Sequence, residues 1–158
     1  MKGAQNMDWV LFNGVMPQKI YIWQVSQEAF NGKIDKNPFN FEQFGLNKIQ
    51  VLVNERSMIT SQPVSLQNLN LLFMNTIMNI TEYPFYTWEF GGGYCVIVVD
   101  LTRDHSAGCN YWSEPVNGNL RVLMDYKTPL KESIVVFCMG EFNSVLHLDP
   151  DRNPTWTL

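Results

Sequence analysis

An all-β fold, an antiparallel sandwich or barrel, is what this sequence predicts, and three observations lead there. Short runs rich in β-branched and aromatic residues dominate the chain. Glycine, proline and asparagine punctuate those runs at intervals of about ten residues. Only one segment has helical spacing, and no strand–helix–strand rhythm, internal repeat or low-complexity tract is present.

The chain of 158 residues suits one domain with a full core, placed at residues 11–153. Residues 1–10 read as an N-terminal extension and 154–158 as a C-terminal tail. Hydrophobic content of 46% against 16% charged residues describes a globular chain. A net charge of -4, with no cluster of lysine or arginine, argues against direct nucleic-acid binding. The N-terminus lacks the apolar stretch of a signal peptide, and no apolar run reaches bilayer length, so no membrane association is expected. Cys95, Cys109 and Cys138 are odd in number and match no metal or redox spacing, which predicts free thiols in a reducing compartment.

Val10-Leu11-Phe12 is a short apolar run, broken by Asn13-Gly14 and Pro17. Lys19 to Val25 carries apolar side chains on both faces, as a strand buried inside a sandwich would. A loop rich in turn residues follows. Asn31-Gly32 favours a tight turn because both residues tolerate positive φ, and Pro38 holds Asn37 extended. Phe30, Phe39, Phe41 and Phe44 should fold this loop back to plug an edge of the core. Leu46 to Val53 alternates, with Ile49, Val51 and Val53 on one face, and Asn54 to Ser57 should turn the chain.

Leu66, Leu69, Phe73, Ile77 and Ile80 recur at helical intervals, which predicts a helical excursion over about 65–81 with Ser65 as its N-cap. A strand followed by a shorter helix fits the same stretch. Gly91-Gly92-Gly93 makes a corner but no phosphate loop, since no Lys-Ser/Thr follows. Tyr94 to Leu101 is continuously apolar and predicts a strand covered on both faces. Asn119 to Tyr126 alternates; Ile134 to Phe142 is two-faced; Ser144 to Leu148 is the last β-like piece.

No constellation for chemistry emerges. Asp100, Asp104, His105 and Cys109 follow the strongest strand, but their spacing matches no ligand pattern, and no metal or cofactor is expected. His147 sits alone between two leucines. No Gly-x-Ser-x-Gly elbow is present, and neither Ser106 nor Ser113 has a catalytic setting, so the chain is not read as an enzyme. Tyr111, Trp112, Trp156 and the phenylalanine loop leave aromatic-lined carbohydrate binding open.

Several stretches share an order and spacing with one family. They are Pro17-Gln18-Lys19-Ile20, Ala29-Phe30-Asn31-Gly32, Asn37-Pro38-Phe39-Asn40-Phe41, Gly93-Tyr94-Cys95, Asp100-Leu101-Thr102 with Asp104 and Ser106, Gly118 to Val122, Pro129-Leu130, and Glu141-Phe142-Asn143-Ser144-Val145. From about Leu11 to Asn153 the chain resembles the C-terminal jelly roll of the hexon-like major capsid proteins of Polinton/Maverick elements and adintoviruses, with their relatives in animal genomes.

That resemblance implies an antiparallel eight-stranded jelly-roll sandwich, with the helical excursion between strands. It also implies a structural task, self-association or pairing with another jelly-roll capsid subunit, in the virion if the protein is viral and inside the cell otherwise. Family members carry two such rolls in tandem and form trimers. This chain corresponds to the second roll alone, so apolar surface that would face the first should be exposed or covered by oligomerisation. A host-retained module recognising a protein or a carbohydrate is the alternative.

Overall fold

The computed structural model describes residues 2–58, 64–65, 92–103, 106–107 and 114–157. The described residues form an all-β, predominantly antiparallel structure, the class the sequence predicts. Ten strands occur among them: β1 (Asn6–Val15), β2 (Lys19–Ser26), β3 (Leu46–Val53), β4 (Arg56–Ser57), β5 (Val64–Ser65), β6 (Val96–Asp100), β7 (Asn117–Tyr126), β8 (Ile134–Glu141), β9 (Val145–Leu148) and β10 (Pro154–Thr157). One turn of helix, α1 (Gln27–Phe30), follows β2.

One sheet runs β1-β7-β3-β4, with β5 also paired to β3, and the other runs β6-β2-β8. A single apolar core lies between them. Ile20, Ile22, Ile97 and Val99 come from the smaller sheet; Ile49, Val51, Leu120, Val122 and Met124 come from the larger, all nearly fully buried. Burying each such side chain contributes roughly 1.5–3 kcal/mol. Strand periodicity explains the selection. On β7, Leu120, Val122, Met124 and Tyr126 are buried while the intervening residues are half-exposed. Tyr126 brings a hydroxyl into the core and donates it to Gln24 Oε1 at 2.6 Å, so neither polar group is left unpaired.

Of the three strands predicted to be two-faced, β2 and β6 are covered on both sides, whereas β8 is not: beyond Ile134 its residues are half-buried or, at Met139 and Glu141, exposed. Central β2 buries Ile20, Ile22 and Gln24 toward the other sheet, with Val25 also buried. On β6, Ile97 and Val99 enter the core, while Val98, on the opposite face, is also buried. The turn after β3 is a two-residue hairpin in which Asn54 (φ 50°) and Glu55 (φ 64°) are both left-handed, the geometry that matches strand twist.

Several expectations are corrected. Residues 1–10 are not merely an extension, because β1 starts at Asn6 and pairs with β7. A register shift between Val10 and Phe12 hides this strand in the sequence. Met7 and Trp9 pack inward before the bulge, Leu11 at it and Phe12 after it, so the alternation breaks midway. Residues 154–157 are not a tail but β10, paired antiparallel with β9. The described residues hold ten strands, against eight expected for the whole chain; β4 and β5 are two-residue flanks of β3, and β9 and β10 form a separate two-stranded sheet. The helical excursion lies outside the described residues, except that Ser65, its expected N-cap, sits in β5 opposite Lys48.

Candidate functional site

The described motif residues lie in loops and strand ends, where the side chains of Asn37, Asp100 and Thr102 hold backbone N–H groups. Ala29 is buried under α1, and Asn31 ends the helix. The Asn31-Gly32 turn uses positive φ only at Gly32 (φ 85°), since Asn31 (φ -76°) closes the helix in an ordinary conformation. Glu28 then bonds Lys33 at 2.8 Å and Lys36 at 3.2 Å, and Lys36 reaches Glu132 at 3.2 Å. These contacts, the Lys33 hydrogen bond first, hold the Glu28 carboxyl below its usual range. Farther along, Asn37 Oδ1 accepts the Phe39 N–H at 3.0 Å, fixing the turn around Pro38.

Two stretches far apart in sequence meet at Phe41. Its N–H donates to the Gly93 carbonyl at 2.6 Å, and its carbonyl accepts the Cys95 N–H at 3.0 Å, as a short parallel bridge to Tyr94. Gly93 is required there: its φ is 114°, and the Asn40 side chain fills the space a Cβ would take.

A row of aromatic rings runs over the outer face of the β6-β2-β8 sheet. Phe41 lies 6.0 Å from Trp23, Trp23 stacks on Phe137 at 5.3 Å, and Phe30 meets Phe137 edge-on at 5.5 Å. Trp23 and Phe137 are register partners across β2 and β8. Composition flagged the phenylalanine loop but not these two anchors, because their pairing depends on strand register. The expected plug is only half right. Phe44 packs against the core and Phe41 against Trp23, whereas Phe30 and Phe39 are 55% and 72% exposed, with Ile34 fully exposed. The ion pairs and turns set the loop's path, leaving three apolar side chains in water.

Asp100 closes the second motif. Its Oδ1 accepts the Thr102 N–H at 2.8 Å and the Thr102 hydroxyl at 2.6 Å, while Oδ2 accepts the Ala107 N–H at 3.0 Å. Thr102 Oγ1 in turn accepts the Ser106 N–H at 2.9 Å. Leu101 is tied by its N–H to the Gln18 carbonyl at 2.8 Å. The chain folds this way because β6 ends at Asp100, and the buried carboxylate captures the N–H groups of the departing loop. Asp104 lies outside the described residues.

Gly118 pairs with Gly14 on β1, beneath the Asn54 side chain, where a Cβ would come within 2.9 Å of the amide. Glu141 accepts the Tyr21 hydroxyl at 2.7 Å; burial first, then that carboxylate, pushes the Tyr21 phenol up to about 12. Phe142 packs edge-on against Phe12 at 5.8 Å.

Burial pushes the Cys95 thiol up to about 12 and Cys138 up to about 11, away from the reactive thiolate, and neither is in a disulfide. No group of three potential metal ligands occurs among the described residues, and no helix among them is long and apolar enough to cross a membrane. A cavity of about 800 Å³ opens at one end of the sandwich, walled by strand ends and loops that include Val15, Val53, Arg56, Leu101, Arg103 and Phe142.

The chain is similar to an uncharacterized protein of Caenorhabditis elegans, 29% identical over 160 residues that take in 91% of this chain. It spans 37% of that relative's length. No family model and no solved structure matches the chain.

Proposed function

We propose that this protein is a structural, capsid-type module that works by self-association through loops and sheet faces. The observation that carries this reading is the loop from Phe30 to Phe39. Its ends are tied by ion pairs and backbone hydrogen bonds, yet Phe30, Ile34 and Phe39 face solvent. Apolar side chains fixed in water are what an association surface presents.

Strand order supports a jelly-roll reading. β1 pairs with β7 and β2 with β6, the nested order produced when a long antiparallel hairpin rolls into two sheets. Asp100 and Thr102 bond each other and the backbone of their own loop, and Asn37 bonds the Phe39 N–H, which suits a task of packing and contact. The worm relative is more than twice as long as the matched region, which leaves room there for a second domain beside this one. A host-retained module that binds a protein or a carbohydrate is the second reading, favoured by the aromatic row Phe41–Trp23–Phe137–Phe30.

Light scattering across a concentration series tests the first reading. A discrete oligomer is expected, and Ile34→Asp combined with Phe39→Asp should shift it toward monomer without lowering the melting temperature, because both residues are exposed. A monomer at every concentration would move the weight to the binding module.

A further inference from the structure

Resting on the self-association reading, we propose that the β9–β10 hairpin of one copy docks into the end cavity of a second copy. Among the described residues the hairpin pairs with no other strand, and a lone two-stranded hairpin is marginal in water. Two of its apolar side chains are only partly covered by their own subunit: Leu146 is 48% and Leu148 67% exposed. Period-two alternation puts both on one face, with His147 and its register partner Thr155 on the other. Such an amphipathic arm needs an apolar surface to lie on.

The cavity offers one of matching character. At about 800 Å³ it lies in the size range of sites that hold a ligand or a short peptide segment. Its wall is mixed: Val15, Met58, Leu101 and Phe142 give it an apolar side, and its polar groups include Arg56 and Arg103. Both arginines are exposed, and neither has an ion-pair partner among the described residues. One carboxylate, Glu114, lines the same cavity. The hairpin turn carries Asp149 and Asp151 with Arg152, so its acidic side complements the two arginines while Leu146 and Leu148 meet the apolar wall. Asp149 is held by Asn153, whose side-chain amide donates to Oδ2 at 3.0 Å and whose N–H donates to Oδ1 at 2.7 Å; the side-chain bond first, then the backbone one, lowers its pKa.

Geometry also favours a neighbour over the hairpin's own subunit. Asn143 lines the cavity, and β9 begins only two residues later, at Val145. The strand thus begins beside the cavity rim, yet its leucines stay exposed on their own subunit. Exchange between copies, reciprocal in a dimer or head-to-tail in a ring, would cover them.

The test is assembly measured on the full chain by light scattering and sedimentation. Three variants are compared with the parent: Leu146→Asp with Leu148→Asp; Arg56→Glu with Arg103→Glu; and the latter carrying Asp151→Arg in addition. The first two should weaken assembly at least tenfold, with melting temperatures within a few degrees of the parent because every changed residue is exposed. The third should recover part of the loss, since the reversed charges again face each other, and 0.5 M salt should shrink the differences among them.

Assembly at parental strength in both of the first two variants would overturn the hairpin contact and leave self-association standing. A parent protein that stays monomeric would overturn both. Melting temperatures that fall by ten degrees or more with assembly unchanged would place the hairpin on its own subunit, against the proposal.

Discussion

Asp100 holds three donors on one buried carboxylate and so decides how the chain leaves β6. Asp100→Ala would strand the N–H groups of Thr102 and Ala107, at a cost of about 3 kcal/mol. Urea unfolding measures this. Asp100→Asn should cost less, because it retains the Oδ1 acceptor and loses only the one facing Ala107. The thiols and phenols set the alkaline limit. Cys95 is raised from 9.0 to about 12, Cys138 from 9.0 to about 11 and Tyr21 from 10.0 to about 12. Above about pH 9 the unfolded chain therefore loses these protons first, and stability should fall as pH rises from 9 to 12. Melting temperature against pH reads the slope, which Cys95→Val should flatten at its lower end. The sequence named Cys95 and Asp100, but not what surrounds them, since desolvation and loop closure depend on residues distant in the chain.

Among the elements, β7 and β2 are the central strands of their sheets, and their inward residues set the stability of the sandwich. Leu120→Ala, at a side chain with no exposure, should cost about 2–5 kcal/mol by denaturant unfolding. Val10→Ala, on the outward side of β1 and 58% exposed, should change stability by about 0.5 kcal/mol or less. The alternation that marks β3 and β7 was plain in the sequence because neither is interrupted over its apolar run. β1 was reduced to three residues by its bulge, and β9 was seen without its partner because Asp149 to Pro154 reads as a polar end. Four-residue β10 and two-residue β4 and β5 are strands only by virtue of what they pair with. At the candidate site the split is the same: the turn chemistry of Asn37-Pro38 was readable, while the joining of Phe41 to Gly93 was not.

For the whole molecule, two distinct surfaces bear on the proposed self-association, the Phe30–Phe39 loop and the β9–β10 hairpin with its cavity. A closed assembly of more than two copies needs either a head-to-tail contact or two different self-complementary ones, and these surfaces could supply either. Loss of one contact with retention of the other should therefore leave a smaller discrete species in light scattering, not a continuum. By itself the sequence determined the β class, the positions of β2, β3, β7 and β8, and the Asn54-Glu55 turn. Each follows from side-chain periodicity or local φ preference, which act over a few residues. Only the tertiary structure decided that Trp23 stacks on Phe137, that Asp100 binds its own departing loop, and that Phe30, Ile34 and Phe39 remain in water. Those outcomes depend on register and on which surfaces neighbouring strands leave uncovered, and both are set by contacts between residues far apart in the chain.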